Sequence, residues 1–251
     1  MRALLLAGAP LASHEGGTGL LPLDRDADAR LRRVLRLRDG AKLRVTDGAG
    51  LFAEATLVAE GLQLAAVERA PAEAAPALAL HCGWIKGERM DWMVEKAVEV
   101  GAASITPLAS DHAVVRLDAK RAEKRRERLQ AVADAALEQC GRARRCRFTE
   151  ESSLRALCAG GMPLLMADEA GGVDLFAAVS TLPTPAPPVV ALVVGPEGGW
   201  SVEERAQLRA AGAIAVSLGP AILRAETAAI ALILQTRMAL DAALLRHGKK
   251  R

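Results

Sequence analysis

Val189-Val190-Ala191-Leu192-Val193-Val194-Gly195-Pro196-Glu197-Gly198-Gly199-Trp200-Ser201 is the stretch that decides how the chain is read. Its first six residues are apolar without alternation, which suits a central parallel strand buried on both faces. The run then breaks into a glycine-rich turn. Ser201 with Glu204 three positions on makes a capping box, so a helix begins at about Val202. Ligands of open α/β sheets sit at the carboxyl ends of strands, so this turn is well placed for a site. Taken alone, it reads equally well as an ordinary strand-to-helix connection.

The same alternation extends outward. Strands are expected over Leu78–Trp84, Ser104–Leu108, Pro163–Ala167 and Ala213–Leu218. Met90, Met93, Val94, Ala97 and Val98 recur at helical spacing, predicting a helix from about Glu88 to Val100 that stops at Gly101. A long helix is expected over Ala119–Cys140, with Leu129, Val132, Ala133, Ala136 and Leu137 on one stripe, and an Ala-rich helix from Glu226 to about Leu245. Strands alternating with helices define an α/β domain with a mostly parallel sheet.

Residues before about position 72 read differently. Leu43, Val45, Phe52, Ala55 and Leu57 flank the turn signal Asp47-Gly48, a further strand is expected near Leu62–Val67, and a short helix over Asp26–Leu37 carries Arg30, Arg32, Arg33 and Arg36. The Pro/Ala-rich segment 70–76 is the expected linker, dividing the chain into 1–72 and 73–251. Ala3–Ala9 resembles a signal peptide only superficially, being short with one Arg before it, and reads as a first strand.

Composition narrows the function. Hydrophobic residues are 51% and charged residues 25%, an ordinary globular balance, and no apolar run approaches the ~20 residues needed to span a bilayer. The 2% aromatics and the lack of Tyr argue against base-stacking platforms of the single-strand-binding type. Four scattered histidines and four cysteines without a C-x-x-C pair offer no metal-ligand spacing and suit a reducing cytosol. Neither a P-loop nor a dinucleotide-binding glycine motif is present. From Lys120 to Arg147 ten Lys/Arg face four acids, a local excess of +6 in a chain whose net charge is +3. Such concentration suits an RNA-phosphate surface as well as a solvated helix face.

A second loop, Leu218-Gly219-Pro220-Ala221-Ile222-Leu223-Arg224-Ala225-Glu226-Thr227-Ala228, also follows a strand and sets Arg224 and Glu226 at the entry to an apolar helix. The pair reads evenly as functional or as a helix cap.

Together with the first loop, with Lys86-Gly87-Glu88-Arg89-Met90-Asp91-Trp92 and the helix after it, with Glu138-Gln139-Cys140-Gly141-Arg142 and with Arg33-Val34-Leu35-Arg36, this segment resembles the RsmE family of bacterial 16S ribosomal RNA uridine-N3 methyltransferases. The blocks occur in the family's order and cover nearly the whole chain. The resemblance implies a SPOUT-type α/β domain (73–251) with a C-terminal trefoil knot, preceded by a small PUA-like β-barrel (1–72) that helps hold RNA. A general topology rule would have argued against a knot. It implies S-adenosyl-L-methionine as cofactor, no metal, 16S ribosomal RNA within the small ribosomal subunit as substrate, a homodimer and a cytoplasmic location.

The cofactor-side positions it implies are Gly195, Pro196, Glu197, Gly198, Gly199, Leu218, Gly219, Ile222, Leu223 and Ala228. Three departures touch RNA contacts. Ala29 and Arg30 stand where the family often has a His pair, His112-Ala113-Val114-Val115-Arg116 replaces a common Arg-Ser-Val-Val-Lys segment, and Ala221 replaces an Arg.

Methylating uridine N3 removes a weakly acidic proton and spreads charge onto the flanking carbonyl oxygens. An arginine aimed there would stabilise it. Arg224 is the first candidate, with Arg142 or Arg89 next. Glu138 and Glu226 are candidate bases, Glu226 being equally able to pair with Arg224. Arg30, Arg33, Arg36, Arg89, Lys124, Arg125 and Arg142 are the expected RNA contacts. Two other readings are a ribose 2′-hydroxyl methyltransferase on the same fold and a non-enzymatic RNA-binding factor.

Overall fold

Residues 3–6, 10–71, 76–115, 117–183 and 187–248 are described by a computed structural model. Most of the expected linker (72–75) and Arg116 of the His112 segment lie outside the described residues. The chain forms two compact units, 1–72 with 134–145, and 73–133 with 146–251.

The first unit is a six-stranded sheet of β1 (Ala3–Leu5), β2 (Gly19–Leu21), β3 (Lys42–Thr46), β4 (Leu51–Val58), β5 (Gly61–Leu64) and β6 (Glu68–Arg69). The order is β1-β3-β4-β5-β2, with β6 beside β4; β1 runs parallel to β3 and the other pairs are antiparallel. Along β4, Leu51, Ala53, Ala55 and Leu57 are buried while their neighbours are not, the period-2 signature of a sheet with one packed face. That face meets Leu4, Leu21, Leu31, Leu43, Val45 and Leu62 in one core.

The helix expected over 26–37 is shorter and changes pitch. Helix α1 (Arg25–Ala29), capped by the Asp24 carboxylate accepting from the Ala27 amide at 2.7 Å, passes into a π-helical turn over 30–34. There the Leu35 amide reaches back to the Arg30 carbonyl, and the chain leaves through Arg36 at φ +52. Leu35 and Leu37 pack beside buried Leu31 against the core.

Residues 134–145 belong to this unit because hydrogen bonds tie them to the β3–β4 turn: Thr46 Oγ1 donates to the Ala143 carbonyl at 3.0 Å and the Arg145 amide to the Gly48 carbonyl at 2.8 Å. The expected division into two contiguous stretches misses this excursion. Backbone pairing over ninety residues of separation leaves no local pattern.

The second unit is an eight-stranded, wholly parallel sheet: β7 (Ala77–Gly83), β8 (Ala102–Ala109), β9 (Arg147–Phe148), β10 (Ser152–Ser153), β11 (Leu164–Ala167), β12 (Val173–Asp174), β13 (Val189–Val194) and β14 (Ile214–Ser217). The order is β10-β8-β7-β13-β11-β14-β12, with β9 beside β8. Its helices are α2 (Glu88–Glu99), α3 (Ala119–Cys140, its last residues in the first unit), α4 (Leu154–Ala159), α5 (Leu175–Ser180), α6 (Val202–Ala210) and α7 (Ala225–Gly248). As the unbroken apolar run predicts, β13 is central, with Val190 to Val193 fully buried between β7 and β11. Strands β9, β10 and β12 escape sequence reading because two residues cannot show a period. No helix among the described residues is long and apolar enough to cross a membrane.

His81 lies on β7, opposite Thr106 of β8 and Val193 of β13, 8% exposed, its Nδ1 without a partner among the described residues. Burial pushes its imidazole from 6.5 down to about 4. The unfolded chain is thus protonated more readily than the folded one. His81's contribution is complete above pH 6.5, declines as pH falls, and at pH 4 and below about 3 kcal/mol is lost. Urea unfolding of wild type and His81→Leu at pH 7 and pH 4.5 should show a smaller loss in the variant. Equal losses would contradict the assignment.

Candidate active site

The loop after β13 is set by packing on each side. The Gly199 amide closes a tight turn onto the Pro196 carbonyl at 2.9 Å, with Gly199 at φ +71. Trp200 is buried beneath it and its indole N–H donates to the Ala167 carbonyl at the end of β11, 3.2 Å away. A Cβ on Gly198 would stand 2.9 Å from the Cβ of His112, whose Nδ1 lies 3.2 Å from the Gly198 carbonyl. The expected capping box is present: Ser201 Oγ accepts from the Glu204 amide at 3.1 Å and the Glu204 carboxylate from the Ser201 amide at 2.9 Å. Ser201 Oγ also donates to Asp111 at 2.8 Å.

The segment after β14 forms a second wall and the turn after β11 a third. These three strand ends enclose a cavity of about 910 Å³, lined by Gly195–Gly199, Leu218–Ala225, Ala167–Gly171, Arg89 and Ala228. It lies where the strand-end rule places ligands of such sheets. Its size suits a small nucleotide-like molecule. Backbone from the glycine turns supplies much of its wall.

Arg89, in the first turn of α2, pairs with Glu197 of the glycine loop and stands 3.8 Å from Glu226. The Glu226 side chain is 8% exposed, and its Oε2 is buried without a partner among the described residues. So the partner of Glu226 is Arg89, not Arg224. Arg224 is exposed, lines the cavity, and its guanidinium has no carboxylate partner among the described residues. One arginine is thus spent tying two loops together, while the other stays available.

The ten expected cofactor-side residues, from Gly195 to Ala228, all line the cavity; Ile222 is 85% exposed there. Arg224 lines it too. Glu138 and Arg142 are not among its lining residues and belong to the other unit. The Glu138 carboxylate accepts from the Leu5 amide at 2.9 Å and from Arg30 at 2.7 Å, contacts that anchor the first unit.

Arg125 donates to the Ile85 carbonyl at 2.7 Å and lies 4.9 Å over the Trp84 ring, and burial holds its guanidinium below the usual arginine range. It packs against the fold. Several other cations of the basic segment are paired: Arg126 with Glu123, Arg128 with Asp91, Arg145 with Asp134. Arg33, Arg36 and Lys124 are exposed, with no carboxylate partner among the described residues.

Sequence reading missed Asp168, Glu169, Ala170 and Gly171. The available signal was Asp168-Glu169 before Gly171-Gly172, directly after a short strand, the same strand-end position that marked the other two loops. No group of three or more His, Cys, Asp or Glu among the described residues could hold a metal ion.

A cavity at the strand ends of a parallel α/β sheet, walled by two glycine-containing loops and preceded by a small β unit, defines the class. Residues 73–236 match the family described as RNA methyltransferase domain, and residues 31–68 that described as RNA methyltransferase PUA domain. The chain is 31% identical over 221 residues, 82% of each chain, to ribosomal RNA small subunit methyltransferase E of Mycobacterium bovis. It is 33% identical over 156 residues to the protein of that name from Bacillus subtilis, covering 58% of this chain and 59% of the relative. Among solved structures, ribosomal RNA small subunit methyltransferase E from Neisseria gonorrhoeae bound to S-adenosyl methionine is 30% identical with a TM-score of 0.79, covering 95% of this chain and 97% of that one. The chain belongs to the ribosomal RNA small subunit methyltransferase E family.

Proposed function

We propose that the chain methylates N3 of a uridine in 16S ribosomal RNA of the small subunit, with S-adenosyl-L-methionine as methyl donor. The observation that carries this reading is the cavity: every position the family resemblance implies for the cofactor lines it, and Arg224 stands at its wall with no carboxylate partner among the described residues. A relative of 30% identity is bound to S-adenosyl methionine. When bound, the cofactor supplies an electrophilic methyl group and requires no metal.

This chain's residues then have distinct tasks. Gly195–Gly199 and Leu218–Leu223 present backbone to the cofactor. Arg89, clamped between Glu197 and Glu226, fixes the glycine loop relative to α7. Glu226, buried at the helix start, holds Arg89. Arg224 faces the charge that develops on the uracil carbonyls as N3 loses its proton. The target base must be exposed or lifted from its stack to reach the cavity. The proposed knot threads the segments that carry the two loops.

The unit containing residues 1–72 holds RNA in this reading, through exposed Arg33 and Arg36; Lys124, exposed on the second unit, is a separate candidate phosphate contact. Exchanging Arg33 and Arg36 for Ala should weaken RNA binding and reduce the slope of log affinity against log salt by about 0.7–0.9 per lost phosphate contact. Filter binding at several salt concentrations measures this; an unchanged slope would count against the assignment. Arg125→Ala should lower the melting temperature instead, through lost packing on Trp84.

The working unit in this reading is a cytoplasmic homodimer. Leu234 and Met238, 45% and 54% exposed one turn apart on α7, offer an apolar face for it. Sedimentation equilibrium that finds only monomer at micromolar concentration would overturn that part. The activity is tested by transfer from labelled S-adenosylmethionine to unmodified small subunits, with the product nucleoside identified by mass spectrometry. Label on uridine N3 of 16S RNA is expected; label on a ribose 2′-oxygen would reassign the target.

A further inference from the structure

We propose that Glu169 is the carboxylate that recognises the ribose diol of the adenosyl ligand, and so decides which nucleosides the cavity accepts; this rests on the cofactor reading above. Strands β11 and β13 are adjacent and parallel, with Ala167 opposite Val194. Two residues beyond each strand, Glu169 and Pro196 therefore stand at equivalent levels, and both line the cavity. A glycine turn after one parallel strand and an acidic side chain just past its neighbour is the arrangement by which dinucleotide-binding sheets hold a ribose hydroxyl. This chain has no dinucleotide fingerprint, yet its topology rebuilds the same juxtaposition.

Glu169 is held ready. Arg205 of α6 donates through Nη2 to Glu169 Oε1, through Nε to Asp168 at 3.1 Å and through Nη1 to the Trp200 carbonyl at 2.8 Å. Asp168, whose side chain is fully buried, anchors that guanidinium; it also takes the Ala170 amide at 3.1 Å and lies 3.5 Å from Arg209. Oε2 of Glu169 has no protein partner among the described residues.

Gly199 confirms how closely the glycine turn approaches: a Cβ there would stand 2.6 Å from Glu169 Oε1. A carboxylate with one oxygen committed to an arginine and the other open at a cavity wall is an acceptor for neutral hydroxyl donors. Its charge is already largely spent on Arg205, which favours a diol over the ligand's ammonium group.

The test compares 5′-methylthioadenosine, which carries the adenosine but lacks the amino-acid part, with its 2′-deoxy analogue, by calorimetry on the full chain. Wild type should bind the deoxy compound about 10- to 100-fold more weakly. Both Glu169→Ala and Glu169→Gln should abolish that preference while melting near the wild-type temperature. A preference that persists in both variants overturns the diol assignment. So does a variant that weakens S-adenosylmethionine but leaves methylthioadenosine unchanged, since that pattern places the carboxylate on the ammonium. Should wild type take up no labelled S-adenosylmethionine, the cofactor reading itself fails and this proposal with it. Normal uptake with an unaltered preference removes only the proposal.

Discussion

Arg224→Ala should slow methyl transfer to the small subunit by about 10²- to 10³-fold, the loss typical of removing one preorganised donor from a developing oxyanion. The side chain lines the cavity and its guanidinium has no acidic partner among the described residues, so it is free to answer charge that appears only during the reaction. An interaction made only in the transition state lowers kcat without weakening ground-state binding. The affinity for S-adenosylmethionine, read by calorimetry, should therefore change less than about threefold. Arg224→Lys should recover part of the rate, because a point charge serves where a planar fork is not required. A variant with wild-type kcat would remove Arg224 from the chemistry, and equal losses in rate and cofactor affinity would make it a binding residue.

Gly199→Val should abolish measurable cofactor binding, a loss of about 100-fold or more, by combining two penalties. At φ +71 a β-branched residue pays about 1–3 kcal/mol in backbone strain, and its Cβ would meet Glu169 Oε1 at 2.6 Å. Relief requires moving either the turn closed by the Gly199 amide on the Pro196 carbonyl or the Glu169–Arg205 pair. Both belong to the cavity wall. Gly199→Ala carries the same φ penalty with less bulk and should lose less. The effect should appear in cofactor titration with the melting temperature lowered by only a few degrees, because the strand beneath and the capping box are untouched. Retained affinity in the valine variant would mean that the loop does not hold the ligand.

What was legible in the sequence was whatever carries a local period or a local cap. The unbroken apolar run 189–194 announced a doubly buried parallel strand, and Ser201 with Glu204 announced the helix that follows it to within a residue. Long stripes placed α2, α3 and α7 nearly at their observed limits, whereas the two glycine loops read evenly as ordinary turns on their own residues and were marked as cofactor-side only by the family resemblance.

What only the tertiary structure decided were pairings between distant residues. Charge counting put ten cations on one segment. Folding pairs Arg125, Arg128 and Arg145 with a carbonyl, an aromatic ring and carboxylates, leaving fewer unpaired cations than the sequence displays. Glu138 looked like a base because its sequence neighbourhood matched a motif, yet its carboxylate is consumed by Leu5 and Arg30 more than a hundred positions away. Glu226 and Arg224, two positions apart in sequence, part company because Arg89 from another helix claims the first. Glu169 gained its place from the register of β11 against β13. Periodicity and caps are written in neighbouring side chains. Which acid meets which base is settled by which strands lie side by side, and no local run of residues records that.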